Sequence, residues 1–147
     1  MKKKIPLEAK IIASLANHER LMQQVGAMKI QIGKHIEACP ISQKLSIHYA
    51  GSENQDDLID RSTGRAKTHL WHAFNELIEH DSGYGMSNMD YDDQENYLTD
   101  PLNEKTRCEH CFAAWRLIQD RKEVRQKLGN AKRSLRQLGK SALKVTQ

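Results

Sequence analysis

Aromatic residues are scarce in this chain: they fill 5% of its 147 positions, whereas charged residues fill 29%. So little apolar surface cannot build a thick core, and a thin, elongated helical protein is expected. Proline and glycine are also few, three and eight, and no alternating β-branched segment is long enough for a substantial sheet. The expected fold class is all-α. Long apolar runs are missing as well. The start, Met1-Lys2-Lys3-Lys4, looks like the charged end of an export signal, but Glu8, Lys10, His18, Glu19 and Arg20 interrupt the apolar stretch that would have to follow. Neither secretion nor a membrane span is predicted, which makes the cytoplasm the expected location. Cysteine is limited to Cys39, Cys108 and Cys111. An odd number without an export signal argues for reduced thiols or metal ligands over a disulfide framework.

The net charge of +4 conceals a separation that matters more than the total. Residues 1–50 carry eight Lys/Arg and three Asp/Glu (+5), residues 51–107 carry five and thirteen (−8), and residues 108–147 carry ten and three (+7). Two basic arms therefore enclose an acidic middle. Opposite charges can simply solubilise and attract one another, as on the solvated faces of long helices. They can also serve function, with a basic arm meeting nucleic acid or an acidic protein surface and the acidic middle meeting a basic one.

Pro6 suits a first helical turn, so a first helix is expected from near Ile5 to Ala38 or Cys39, where Pro40 stops it. Along it, Leu7, Ile11, Ser14, His18, Leu21, Val25, Met28, Ile32, His35 and Cys39 step alternately by four and three, which lines them along one seam. At about 1.5 Å per residue such a helix spans about 50 Å and needs a partner along its length. Residues 108–145 supply one: Cys111, Trp115, Ile118, Val124, Leu128, Ala131, Leu135, Leu138, Ala142 and Val145 form an apolar stripe. The prediction is a single domain, 1–147, in which arms 1–39 and 108–147 form a long antiparallel helical hairpin and residues 40–107 an acidic head. Ser14, His18 and His35 interrupt the seam, which leaves apolar surface on which a second chain can form a homodimer. In the head, Ala66, Leu70, Phe74, Leu77 and Ile78 describe a third helix, N-capped by Ser62 or Thr63 and ending near His80. Residues 50–60 and 81–107 read as polar loops with short helical pieces at most.

His35 and Cys39 face the same way one turn apart, and Cys108-Glu109-His110-Cys111 opens the returning helix. The expected ligand set is thus His35, Cys39, Cys108 and Cys111, a closed tetrahedral site for structural Zn2+ that clamps the two arms at the head. His110, His48, His72 or His69 are alternatives for the fourth ligand. Without a metal, the cysteines would be small buried hydrophobes and His35 an ordinary seam residue. The carboxylates of Asp90-Tyr91-Asp92-Asp93-Gln94-Glu95 have partial calcium-loop spacing but lack its glycine and terminal Glu. No nucleophile, base and orienting acid assemble from the sequence, so the chain is read as non-enzymatic.

Arg121, Lys122 and Arg125 crowd the second stripe, either laying their stems over the seam or forming a basic groove for phosphate. Together with Lys132, Arg133 and Arg136 they are the candidate residues for contact with nucleic acid or a protein partner. Apart from Trp115 there is no aromatic platform among them, which disfavours single-strand or sequence-specific recognition.

Cys108-Glu-His-Cys111, Trp115-Arg-Leu-Ile-Gln-Asp-Arg-Lys and Leu128-Gly-Asn-Ala-Lys-Arg through Leu138-Gly-Lys together resemble small accessory proteins of tailed bacteriophages, which carry a CxxC followed by a basic helix. The resemblance covers the last forty residues and implies a phage or prophage origin, with host takeover or defence evasion as its context. The expectation is a zinc-stabilised helical protein that engages a bacterial nucleic-acid-processing protein or nucleoprotein complex as an inhibitor of host defence or replication. Direct non-specific DNA or RNA binding by the basic carboxy-terminal helix is the first alternative, and a small metal-dependent nuclease the second.

Overall fold

The computed structural model describes residues 4–47, 55–79 and 85–147. His48, one of the alternative ligands, lies outside them, as do His80 and residues 81–84. The described chain is mostly helical: α1 (Leu7–Ala38), α2 (Pro40–Ile47), α3 (Gln55–Leu58), α4 (His69–Asn75), α5 (Tyr91–Thr99) and α6 (Glu109–Thr146), with a small sheet of β1 (Leu77–Glu79) and β2 (Met86–Asn88). No helix among the described residues is long and apolar enough to cross a membrane.

The departures from the sequence reading have local causes. Pro40 ends α1 but also begins α2. Lacking an N–H, it leaves the Ile36 carbonyl to the Cys39 N–H at 3.1 Å, while Gln43 N–H bonds to the Cys39 carbonyl at 3.0 Å and starts the next helix. The third helix is shorter than its apolar pattern. Ser62, Thr63 and Gly64 belong to a turn in which Gly64 takes φ +71° and its N–H bonds to the Asp60 carbonyl at 2.7 Å, so Thr68 becomes the N-cap of α4, accepting from Trp71 N–H at 3.2 Å. At the other end Glu76 is extended, and Leu77 and Ile78 pair with Asn88 and Ser87 across an antiparallel ladder. The loop expected over 81–107 contains α5, fixed by a capping box between Asp90 and Asp93. Those two carboxylates therefore serve backbone N–H groups of the first helical turn.

The chain forms two compact units. One comprises residues up to Ile30 with Ile118–Gln147; the other is Gln31–Leu117, which extends past residues 40–107 to take in the last turns of α1 and the first turns of α6. In the first unit Leu21, Val124, Leu128 and Ala131 form a buried cluster, flanked by partly buried Val25 and Met28. Rising numbers on α1 meet falling numbers on α6: Asn17 and Leu21 share a groove with Lys127 and Ser134, whereas Lys10 and Ser14 share one with Arg133 and Leu138. Every seam residue from Leu7 to Met28 is at least partly buried and the residues between them are exposed, as the four-three spacing requires. Arg121 is half-buried, and burial first, with the Arg125 charge second, lowers its pKa. Val145, expected on the stripe, is exposed.

In the second unit the core holds Ile32, Leu70, Ala73, Met89, Leu98, Ala114, Trp115 and all three cysteines. Trp115 is almost wholly buried, and its indole N–H donates to Gln94 Oε1 at 2.9 Å, which satisfies its one polar atom. Gln94 in turn donates to the Met89 carbonyl at 3.0 Å. This chain of bonds ties the start of α6 to α5 and to the residue that follows the sheet.

Candidate metal centre

Three places in the second unit bring ligand atoms to a common point. Cys39 sits in the bend between α1 and α2, His69 opens α4, Cys108 immediately precedes α6 and Cys111 lies in its first turn. Their ligand atoms all lie within 4.8 Å of one another. Cys39 Sγ is 3.2 Å from His69 Nδ1. A tetrahedron with metal–sulfur distances of about 2.3 Å has edges of about 3.8 Å, so one ion fits inside this set with small adjustments. Cys39 and Cys111 are fully buried, Cys108 nearly so, and His69 partly. All three cysteines are free thiols.

Each position is held by local structure. The Cys39 bend follows from Pro40, as described above. Thr68, itself buried, caps α4 and so fixes the first-turn residue His69. The approach to Cys108 is braced by side chains that replace a regular backbone ladder: Asp100 Oδ1 accepts from Leu102 N–H at 2.9 Å, Asn103 Oδ1 from Lys105 N–H at 3.2 Å, and Arg107 Nη1 donates to the Pro101 carbonyl at 3.2 Å. Cys108 N–H then bonds to the Leu98 carbonyl at 3.1 Å. Across the CxxC, Cys111 N–H points at Cys108 Sγ at 3.4 Å, an N–H···S contact that stabilises a thiolate.

The thiols titrate as a group. Cys39 is held far below the usual thiol range, by hydrogen bonds with Cys108 first and Cys111 second, against the opposing effect of burial. Cys111 is pushed far up, by Cys108 first and Cys39 second. A first thiolate is favoured because two neighbouring thiols can donate to it, and further negative charge in the same buried volume is opposed. A cation at the centre would remove that opposition, with three thiolates and an imidazole available as its ligands. Nδ1 is the His69 atom that faces Cys39 and would be its donor to such an ion.

The structure thus brings Cys39, Cys108 and Cys111 together as expected, and the fourth member is His69, one of the alternatives, in place of His35. His35 is on α1, outside the cluster. The reason is that the i, i+4 relation holds only within a continuous helix, and Cys39 has left it. His110 is half-exposed beside Glu109, with 3.8 Å from Nε2 to Oε1, and also stands apart from the cluster. His72 lies 2.9 Å from the Glu76 carboxylate without hydrogen-bond geometry and is no member either. The available signal for His69 was its place after the Thr68 cap; the His69-x-x-His72 spacing favoured neither residue over the other.

The candidate contact residues fall on α6. Lys122, Arg125, Lys132, Arg133 and Arg136 are exposed and Arg121 is half-buried. Lys122 donates to Gln119 Oε1 at 3.0 Å, and Arg133 bonds to the Asn130 side chain. No family model, curated protein or solved structure matches the chain.

Proposed function

We propose that this chain is a non-enzymatic binding protein, organised by a structural Zn2+, that lays one basic face of α6 along the phosphates of a bacterial nucleoprotein complex. The observation that carries the proposal is a row on α6. Lys122, Arg125, Gly129, Lys132, Arg136 and Lys140 recur at steps of three and four, which puts them on one face, and all its cations are exposed. Past Glu123 the helix contains no acidic residue. Such a face binds backbone charge without reading bases.

Zinc is the metal this donor set favours, because three thiolates and an imidazole in a compact site suit a soft to borderline tetrahedral ion. Four protein ligands leave no open position for water, so its role is to hold α1, α4 and α6 in place. Metal-binding energy then becomes folding energy. In this reading α1 and α6 form an antiparallel helical hairpin whose ends are pinned by the ion. The likeness of the last forty residues to phage accessory proteins supports a phage-encoded role, with inhibition of host defence or replication as the outcome of binding. A metal-dependent nuclease is less favoured: among the described residues the one cluster of metal-ligating side chains is the closed set, and hydrolytic metal needs an open position.

A gel-shift titration with duplex DNA and RNA at two salt concentrations tests the basic face. Retardation at low salt that weakens steeply at high salt is expected. No retardation at low salt would remove this face as the contact surface.

A further inference from the structure

We infer that the metal centre is also a peroxide-responsive switch, in which Cys108 meets the oxidant and Cys111 closes a disulfide with it. The inference rests on the zinc reading above and concerns how that ion is let go. The three cysteines differ in what reaches them. Cys39 and Cys111 are 0% exposed, whereas Cys108 is 6% exposed and lines a cavity of about 610 Å³. Leu98 and Phe112 give that cavity apolar walls, and the exposed residues Arg107 and Glu109 also line it, so it opens to water. A hydroperoxide is small and uncharged, and such a space admits it. Metal binding requires the thiolate form of each cysteine, and the thiolate is the nucleophile. The loaded centre therefore keeps Cys108 in its reactive form where an oxidant can arrive.

Two steps balance the reaction. In the first, Cys108 Sγ attacks one oxygen of hydrogen peroxide; an S–O bond forms as the O–O bond breaks, which leaves a sulfenic acid on Cys108 and a hydroxide that takes a proton from solvent. In the second, Cys111 Sγ attacks the Cys108 sulfur; the S–S bond forms, the S–O bond breaks, and the departing hydroxide takes a second proton. Two thiolates lose two electrons, the peroxide gains them, and two waters leave. Cys111 is the partner because three residues at the start of a helix separate Cα atoms by about 5 Å, inside the range of about 4.4–6.8 Å that a disulfide spans. The two sulfurs belong to the set within 4.8 Å, and Cys111 N–H already points at Cys108 Sγ at 3.4 Å. Cys39 instead faces His69 Nδ1 at 3.2 Å. The disulfide withdraws two of four ligands, and Cys39 with His69 is too small a set for a tetrahedral ion. Release of the ion takes its binding energy from the fold, so oxidation loosens the second unit.

Hydrogen peroxide in molar excess over the zinc-loaded full chain tests the switch. Zinc is read with a chromogenic chelator too weak to strip the unoxidised chain, and the thiols by peptide mass mapping. Release of one zinc per chain together with a Cys108–Cys111 disulfide is expected, reversed by a dithiol reductant and added zinc. With dimedone present to trap the sulfenic acid, the adduct is expected on Cys108. An adduct on Cys39 or Cys111 overturns the route of entry, and a disulfide that includes Cys39 overturns the pairing. Zinc retained with all thiols intact overturns the switch and leaves the structural ion standing. A chain that takes up no zinc before oxidation overturns the metal reading and the switch with it.

Discussion

Cys39 and His69, thirty residues apart in the chain, stand with Sγ and Nδ1 3.2 Å from one another. Nothing but the fold of the second unit brings them there. Cys39 is fixed by the helix break at Pro40 and His69 by the Thr68 cap, so backbone and capping bonds that involve no metal hold both in place.

The first prediction separates this pair from its sequence-level rival. His69→Ala is expected to lower zinc affinity by at least ~100-fold and Cys39→Ser or Cys111→Ser to abolish stoichiometric binding, because each removes a ligand from a four-member shell. His35→Ala leaves metal content unchanged. Metal analysis of the purified variants, with a competing chelator to rank affinities, checks all four. Zinc retained by His69→Ala and lost from His35→Ala would put the site elsewhere.

Much of this was legible in the sequence, and the exceptions share a cause. The seam of α1 could be read because residues 7 to 28 lie within one unbroken helix, where spacing alone determines direction. The three cysteines could be grouped because each marks a helix end. The fourth ligand was assigned by extending the same periodicity from Ile32 through His35 to Cys39, across the place where Pro40 forbids it. In the head, Leu77 and Ile78 fit a helical stripe and also a short strand. The choice between them was made by Glu76 turning extended and by the availability of Ser87 and Asn88 to pair, which no local pattern records.

Leu98 links core packing to the cysteine cluster. It is 1% exposed, and its carbonyl accepts the Cys108 N–H. Leu98→Ala should destabilise the second unit by about 2–5 kcal/mol, the usual cost of an aliphatic truncation in a packed core, and weaken zinc binding as well, because the backbone carbonyl that holds the Cys108 N–H remains but the side chain that packs its helix end into the core is lost. Denaturant unfolding with and without excess zinc measures both. The zinc-bound form should recover part of the loss, since ligand binding to the native state adds stability by mass action.

Tyr97 predicts an alkaline transition. Burial first, and the Glu76 carboxylate second, push its hydroxyl up to about 12 from the ordinary 10.0. A raised folded value means the neutral form is preferred in the native state, so this contribution is whole below about pH 10 and is lost as pH climbs from about 10 to about 12. Tyr97→Phe should flatten stability over that window, as followed by unfolding at several alkaline pH values. An unchanged alkaline slope in Tyr97→Phe would show that another group carries it.

At the opposite end of the pH scale, Asp60 is held below the usual carboxylate range, by the Ser62 hydroxyl first and the Trp71 indole second. Its Oδ2 accepts the Trp71 indole Nε1–H at 2.9 Å and its Oδ1 the Ser62 hydroxyl at 2.7 Å. A depressed folded value gives stability that is present above the ordinary carboxylate pKa and is lost as pH falls through the folded one. Acidification should therefore release the turn of residues 60–65 and change Trp71 fluorescence. Asp60→Asn should remove the acid dependence of that signal, and its persistence would assign it to a different carboxylate.

Because the cations of α6 are arranged on one face, position should matter more than total charge. Lys132→Glu and Arg136→Glu lie in the row; Lys127→Glu makes the same charge change on an exposed residue off it. If duplex DNA lies along the row, each row variant should weaken binding by roughly 1–2 kcal/mol, because a charge-assisted hydrogen bond to phosphate is removed and a repulsion takes its place. It should also flatten the plot of log affinity against log salt by about 0.9 for each phosphate no longer neutralised. Lys127→Glu changes the same net charge and so feels the same long-range field, but it touches no phosphate and should keep the slope of the unaltered chain. Equal slopes for all three variants would mean that the helix is held by diffuse attraction to its overall charge, and the oriented contact with phosphate would have to be given up.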